Sequence, residues 1–149
     1  MKKLISISLL TFVLDVVIKL IITNNLSYNQ SVVVINNFFN ITLVKNTGGA
    51  FSLFSGKVFY LIIISVFILF MIIYYIYKNK INDNLTLIGF ALLLGGAMGN
   101  LFDRIYYGYV VDYLDFKFFG MNFPIFNMAD VCIVVSCLLL FFLGVFYDN

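Results

Sequence analysis

Two aspartates carry the most chemical potential in this chain. Asp112 lies in Gly108-Tyr109-Val110-Val111-Asp112-Tyr113 and Asp130 in Phe126-Asn127-Met128-Ala129-Asp130, both polar islands beside long apolar runs. A carboxylate at membrane depth costs about 2.5–3.5 kcal/mol on insertion scales, so it needs a partner or a task. When two carboxylates approach, repulsion raises one pKa and the pair holds a single proton near neutral pH. The ionised member can then take a proton from an attacking water, while the protonated member hydrogen-bonds a peptide carbonyl. The chain has no histidine, and all 7 of its acidic residues are aspartates. Ser-His and Cys-His nucleophiles and imidazole metal sites are therefore absent. A carboxylate pair needs none of these, and neither metal nor cofactor is expected.

Other polar residues have spacings that bring them toward the same place. Asp15 and Lys19 are four apart and share a helical face, as do Asn100 and Arg104, with Asp103 three from Asn100. Asn127 precedes Asp130 by three. Each has a plainer reading. Asp15 and Lys19 can neutralise one another, and Asp103 can pair with a lysine or arginine. Asn127 suits a helix N-cap, and Asp130 suits the helix dipole at the same terminus. Gly95-Gly96-Ala97-Met98-Gly99 fits close helix packing, Tyr106, Tyr107 and Tyr109 fit an interfacial belt, and Asp115 fits a solvated loop.

The elements that must position these residues follow from composition. Of the 149 residues 63% are hydrophobic and 11% charged, too few charges for a soluble surface. The net charge of +2 is small and dispersed, which excludes a nucleic-acid stripe. The reading is one integral membrane domain over residues 1–149, with apolar runs at about 4–22, 58–77, 85–102 and 131–147. Each is long enough to cross a core of roughly 30 Å as a helix. The first run contains Asp15 and Lys19 and lacks a small-x-small cleavage site, so it is expected as a retained helix. Lys2, Lys3, Lys78 and Lys80 place both termini in the cytoplasm, although Lys45, Lys57, Arg104 and Lys117 on the opposite side equal them in number. The outer loops are then about 23–57 and 103–130. Residues 31–35 and 40–44 are rich in β-branched side chains and are expected as short strands. Ala50-Phe51-Ser52-Leu53-Phe54 is expected as a short surface helix along the membrane. Cys132 and Cys137, five apart, point to different faces and are expected as buried, unpaired thiols.

Five blocks then occur in order along nearly the whole chain. They are Asp15-Val16-Val17-Ile18-Lys19, Asn46-Thr47-Gly48-Gly49-Ala50-Phe51-Ser52, Gly95 to Arg104, Val110-Val111-Asp112-Tyr113, and Phe126 to Asp130. Together they resemble the lipoprotein signal peptidases (signal peptidase II). That resemblance implies four transmembrane helices with a small extracytoplasmic β-strand cradle for the substrate. It implies an aspartic endopeptidase that cuts the signal peptide from bacterial prolipoproteins just before a diacylglyceryl-modified cysteine. On matching positions Asp112 and Asp130 become the catalytic dyad. Asp15, Lys19, Asn46, Gly96, Asn100, Arg104 and Asn127 become supporting or substrate-contacting residues. Lipidated prolipoproteins and membrane lipid are the expected partners, with no nucleic acid and a monomeric enzyme. The expected place is the bacterial cytoplasmic membrane, with the active site on its outer face. The chain departs from the family pattern at Val16, often glutamine, and at Gly49, often alanine.

Two other function classes fit the same residues less completely. A Mg²⁺-dependent lipid headgroup transferase would use Asp103, Asp112, Asp115 and Asp130 as oxygen ligands. A non-enzymatic assembly factor or small transporter would use Asp15, Lys19 and Arg104 as an ion path.

Overall fold

A computed structural model of the chain describes residues 1–49, 53–118 and 121–147. Four helices carry the apolar runs: α1 (Lys2–Asn25), α2 (Val58–Lys78), α3 (Asn84–Tyr107) and α4 (Met128–Tyr147). The first three are long and apolar enough to cross a membrane, and α4 is apolar but shorter over Met128–Gly144.

In α1 the buried residues are Leu4, Ser8, Thr11, Asp15 and Lys19, a single stripe spaced by three and four. Four of the five are polar, while Ile5, Leu9, Leu10, Val13, Leu14 and Val17 point outward. This helix hides its polar face and offers its apolar one, as lipid requires. It packs against α3, whose buried residues include Gly89, Ala91, Gly95, Gly96 and Gly99. Small residues let the backbones come close, which is how helices associate where no hydrophobic drive exists between them. A Cβ on Gly95 would lie 2.6 Å from the Ser8 carbonyl oxygen and 2.6 Å from Thr11 Cβ, and one on Gly96 would lie 2.5 Å from the Ala129 carbonyl oxygen of α4. On Gly99 it would meet the Asp15 carboxylate. The glycine block is thus the contact line for both α1 and α4.

This predicts that Gly95→Ala destabilises the bundle by about 1–3 kcal/mol, because the obstructing atoms are backbone and Cβ and cannot swing aside. Gly144→Ala, with nothing within 4 Å, should be neutral. Thermal unfolding in detergent micelles would compare them, and equal midpoints would refute the packing account.

Leu4, Ile76, Leu87, Ala91 and Leu94 form an apolar core at the end of the bundle holding the chain's N-terminus. Ile76 is the one buried residue of α2, which rests chiefly on α3. There Lys3 Nζ donates to Asn84 Oδ1 at 2.8 Å, and Asp83 caps α3 by accepting the Thr86 N–H at 2.8 Å. The opposite end carries the sheet. Strands β1 (Ser31–Ile35) and β2 (Phe39–Asn46) form a hairpin, and β3 (Val110–Phe118) pairs with β2 antiparallel, so the order is β1-β2-β3-β4 with the short β4 (Met121–Asn122) last. Gly108, at φ 76°, ends α3 in the left-handed conformation and turns the chain at once into β3.

Several expectations change here. Asp112 and Asp115 stand in β3, not in loops. Val110 to Phe118 is a β-rich sequence, and its pairing to β2 supplies the ladder that a loop would lack. Asp115 is half-buried and accepts the Thr42 hydroxyl at 2.7 Å and the Asn40 amide at 3.4 Å. Of the expected surface helix, residues 50–52 lie outside the described residues, and residues 53–56 are turn. Cys132 is buried but Cys137 is exposed on the apolar surface of α4; both are unpaired. Tyr106, Tyr107 and Tyr109 pack ring on ring in series, the Tyr28 and Tyr109 hydroxyls meet at 2.8 Å, and Lys45 Nζ sits 4.4 and 4.8 Å from the centres of those two rings.

Candidate active site

The polar residues expected at the site meet where the helices enter the sheet. At the bottom lies Lys19, 3% exposed, whose ammonium reaches Asp15 Oδ2 at 2.7 Å, Asp103 Oδ2 at 2.8 Å and Asn100 Oδ1 at 3.2 Å. The ammonium thus makes two close ion pairs and one hydrogen bond. Asp103 Oδ2 also accepts the Val111 N–H at 3.0 Å, which ties the end of α3 to the strand bearing Asp112. Asp15 Oδ1 accepts the Ala129 N–H at 3.0 Å, which ties α1 to the start of α4.

Above this ion triad three asparagines aim their amide N–H groups at the two aspartates. Asn100 Oδ1 accepts from Lys19, so its Nδ2 is left to donate to Asp130 Oδ1 at 2.7 Å. Asn127 Oδ1 accepts the Asp130 N–H at 2.9 Å as the helix cap, so its Nδ2 faces Asp112 Oδ1 at 2.7 Å and Asn100 Oδ1 at 3.0 Å. Asn46 Oδ1 accepts the Gly48 N–H at 2.9 Å in a local turn, so its Nδ2 donates to Asp112 Oδ2 at 2.9 Å. In each case a fixed donor takes the carbonyl and thereby orients the NH₂. The capping and site readings of Asn127 and Asp130 are therefore both true: Asp130 Oδ2 also accepts the Asn127 N–H at 3.3 Å, closing a reciprocal cap.

The first turn of α4 is held from several elements. The Met128 N–H donates to the Tyr113 hydroxyl of β3 at 3.2 Å, Ala129 to Asp15 of α1, Asp130 to the Asn127 side chain, and Val131 to the Asn127 carbonyl at 3.2 Å. Every donor that a helix start ordinarily leaves open has its own acceptor.

Carboxylates outnumber cations in the site. Four carboxylates (Asp15, Asp103, Asp112, Asp130) surround two cations (Lys19, Arg104). Asp112 is 1% exposed. Burial first, and then the charge of Asp130, push its carboxyl up to about 7, against the pull of the Asn46 and Asn127 hydrogen bonds. Arg104 spans the site's edge, donating to the Asn100 carbonyl at 3.2 Å and the Gly48 carbonyl at 3.0 Å. Its Nε–H has no acceptor among the described residues.

Asn46, Asn100, Arg104, Asp112 and Asp130 line one side of a cavity of about 420 Å³. Phe123, Pro124, Ile125, Phe126, Val131, Ile133, Val134 and Val135 line the other. Val134 and Val135 are exposed on α4, so the apolar side opens toward the exposed apolar surface of that helix. Gly96 lies outside this lining and acts by admitting α4. The structure thus brings together all nine expected site residues, Gly96 through packing alone. Asp103 and Tyr113 are the two that the expected set lacked. Asp103 was legible as a neighbour of Asn100 by spacing and as some cation's partner, and nothing in the sequence pointed the Tyr113 hydroxyl at a helix terminus. The four aspartates of the transferase reading are not gathered into a metal cage: Asp103 is spent on Lys19 and Val111, and Asp115 on Thr42 and Asn40. Among the described residues no group of three or more His, Cys, Asp or Glu side chains is placed to hold a metal ion.

Comparison with known proteins agrees along the whole chain. The family model described as signal peptidase (SPase) II matches residues 7–146. A lipoprotein signal peptidase of Clostridium tetani (strain Massachusetts / E88) is 39% identical over 135 residues, covering 90% of this chain and 86% of that protein. One from Histophilus somni (strain 2336) is 38% identical over 138 residues, covering 90% and 83%. A solved structure described as a bacterial membrane enzyme, at 2.3 Å resolution, superposes with a TM-score of 0.90 at 34% identity, covering 99% of this chain and 90% of that one. A second, at 1.9 Å, gives 0.88 at 34% identity, covering 100% and 96%. With a family match over residues 7–146, relatives this similar and a shared fold, the chain belongs to the signal peptidase II family of bacterial membrane peptidases.

Proposed function

We propose that this chain removes signal peptides from diacylglyceryl-modified prolipoproteins, cutting just before the lipidated cysteine with water activated by Asp112 and Asp130. The observation that carries the reading is the pair itself: two carboxylates on different elements, each held by asparagine amides, facing one cavity. The ionised member takes a proton from water as oxygen attacks the scissile carbonyl. The protonated member hydrogen-bonds that carbonyl, and protons then pass to the leaving amine. The pair titrates as a unit. Asn46, Asn100 and Asn127 hold it without competing for its protons, since an amide neither gives nor takes one near neutral pH. Arg104, which lines the cavity and is held by the Asn100 and Gly48 carbonyls, is suited to orient a substrate backbone carbonyl. The apolar side of the cavity suits acyl chains arriving from the bilayer.

The accompanying topology has four membrane spans, α1 to α4, in one domain, with both termini cytoplasmic and the sheet and dyad on the outer face. The enzyme acts as a monomer in the cytoplasmic membrane, among lipid and lipidated substrate. Lys2, Lys3, Lys78 and Lys80 at the end away from the sheet support that orientation.

Purified protein in micelles should cut a lipidated prolipoprotein and leave its unlipidated precursor uncut, as read on a gel. Burial and the charge of Asp130 push the Asp112 carboxyl up to about 7. The rate should therefore fall as pH rises through about 7, where the pair gives up its last proton. Cleavage of both substrates alike would remove the lipid requirement, and a rate still climbing two units above that point would remove the shared proton.

A further inference from the structure

Tyr113 is a buried phenol, 3% exposed, that the chemistry above leaves unused. It follows Asp112 in β3, and its hydroxyl accepts the Met128 N–H two residues before Asp130. The backbone repeats the link: the Tyr113 and Leu114 N–H groups both donate to the Phe126 carbonyl, at 3.0 and 2.8 Å, and the Phe126 N–H returns to Leu114 at 3.2 Å. The segment that places Asp112 is thus clasped to the segment that places Asp130. Tyr113 does not line the cavity.

We propose that Tyr113 is a positioning residue of the reaction, its hydroxyl holding the first turn of α4 so that Asp130 keeps its place against Asp112. The inference rests on the dyad reading. Of the donors in that turn, Ala129 is held by Asp15, and Asp130 and Val131 by Asn127, whereas Met128 has only Tyr113 among the described residues. Removing the hydroxyl leaves that half-buried N–H without its acceptor, and the turn shifts to reach another. A shift well under an ångström matters here, since a misplacement of about 1 Å in a reacting group can cost about a hundredfold in rate.

The test is Tyr113→Phe, which keeps the ring and its packing. Turnover should fall about tenfold with KM within about twofold, because the altered contact bears on the reacting pair and not on the cavity. The pH profile should move as well. The charged groups around the pair are Asp15 and Lys19 from α1 and Asp103 and Arg104 from α3, while β2 offers only the neutral Asn46; none of them changes in this variant. What changes is the separation of Asp112 and Asp130, and weaker mutual repulsion releases the shared proton at lower pH. The alkaline limb should therefore shift to lower pH by a measurable fraction of a unit. Gly95→Ala serves as the comparison: it loosens the bundle at α1 and should lower the unfolding midpoint with the limb in place. Wild-type turnover and an unmoved limb in Tyr113→Phe, in a background where Asp112→Asn is inactive, would overturn the proposal alone. Activity surviving in Asp112→Asn would overturn the dyad reading beneath it.

Discussion

Asp112→Asn and Asp130→Asn should each lower cleavage by about a thousandfold or more while leaving the protein folded and inserted. General acid–base groups contribute about 10²–10⁴-fold apiece, and a pair that shares one proton loses both roles when either carboxyl goes. The local geometry sharpens the expectation. Both Asp112 oxygens accept amide N–H groups, from Asn127 at 2.7 Å and Asn46 at 2.9 Å. An asparagine in its place offers one oxygen and one NH₂, so one of those amides loses its acceptor and nothing remains to exchange a proton. The fold should tolerate this, because a neutral amide replaces a carboxyl that burial already drives toward its neutral form. Since the two act as a unit, the double variant should be no slower than the worse single one. The assay is processing of a lipidated prolipoprotein by purified variants, with circular dichroism confirming helix content. Either single variant cutting at more than about a tenth of the wild-type rate would sink the assignment.

Lys19→Met should produce the largest stability loss, about 3–5 kcal/mol, because it leaves buried carboxylates without their cation. Asp15 and Asp103 face the same ammonium at 2.7 and 2.8 Å, and both also hold backbone N–H groups of other elements. Without Lys19 they repel one another, and α1, α3, β3 and α4 lose their common anchor. Pairing the change with Asp103→Asn should restore a good part of the loss, since that removes one of the orphaned charges. Unfolding in mixed micelles measures both variants. A Lys19→Met protein as stable as wild type would show that the triad does not hold the bundle. Whatever enzyme survives should show its alkaline limb at higher pH, because the Lys19 charge lowers the proton affinity of Asp112. That shift is opposite in sign to the one expected for Tyr113→Phe, so anchor and positioning roles are separable on one plot.

Several independent hydrogen bonds converge on the Asp112 and Asp130 carboxylates. An ion path through Asp15, Lys19 and Arg104 would need groups free to exchange protons or ions. Lys19 instead makes three short contacts, and Arg104 is fastened to two backbone carbonyls.

Much of this protein was legible in its sequence for simple physical reasons. Length and polarity alone marked the apolar runs, because lipid admits only backbones whose hydrogen bonds are satisfied within the helix. The four observed helices fall on those runs, and β1 and β2 cover the expected residues 31–35 and 40–44. Intervals of three and four grouped Asp15 with Lys19 and Asn100 with Arg104, because a helix turns every 3.6 residues. The absence of histidine and glutamate narrowed the chemistry to aspartates.

What lay beyond reach depends on contacts between distant segments. That Asp112 stands in a strand is set by the pairing of β3 with β2 across two intervening helices, where Val44 faces Asp112 and Asn46 faces Val110. Asp115 looked solvated because its partners, Thr42 and Asn40, are more than seventy residues away. The side chains themselves do not say which asparagine presents its NH₂ to which carboxylate. That was decided by a helix terminus, a turn and a buried lysine, each claiming one carbonyl. The sequence by itself determined that two aspartates would sit at the edge of a membrane bundle, since hydropathy and helical period are local. Only the tertiary structure decided how they are held, since hydrogen-bond direction belongs to the assembled site and not to any one segment.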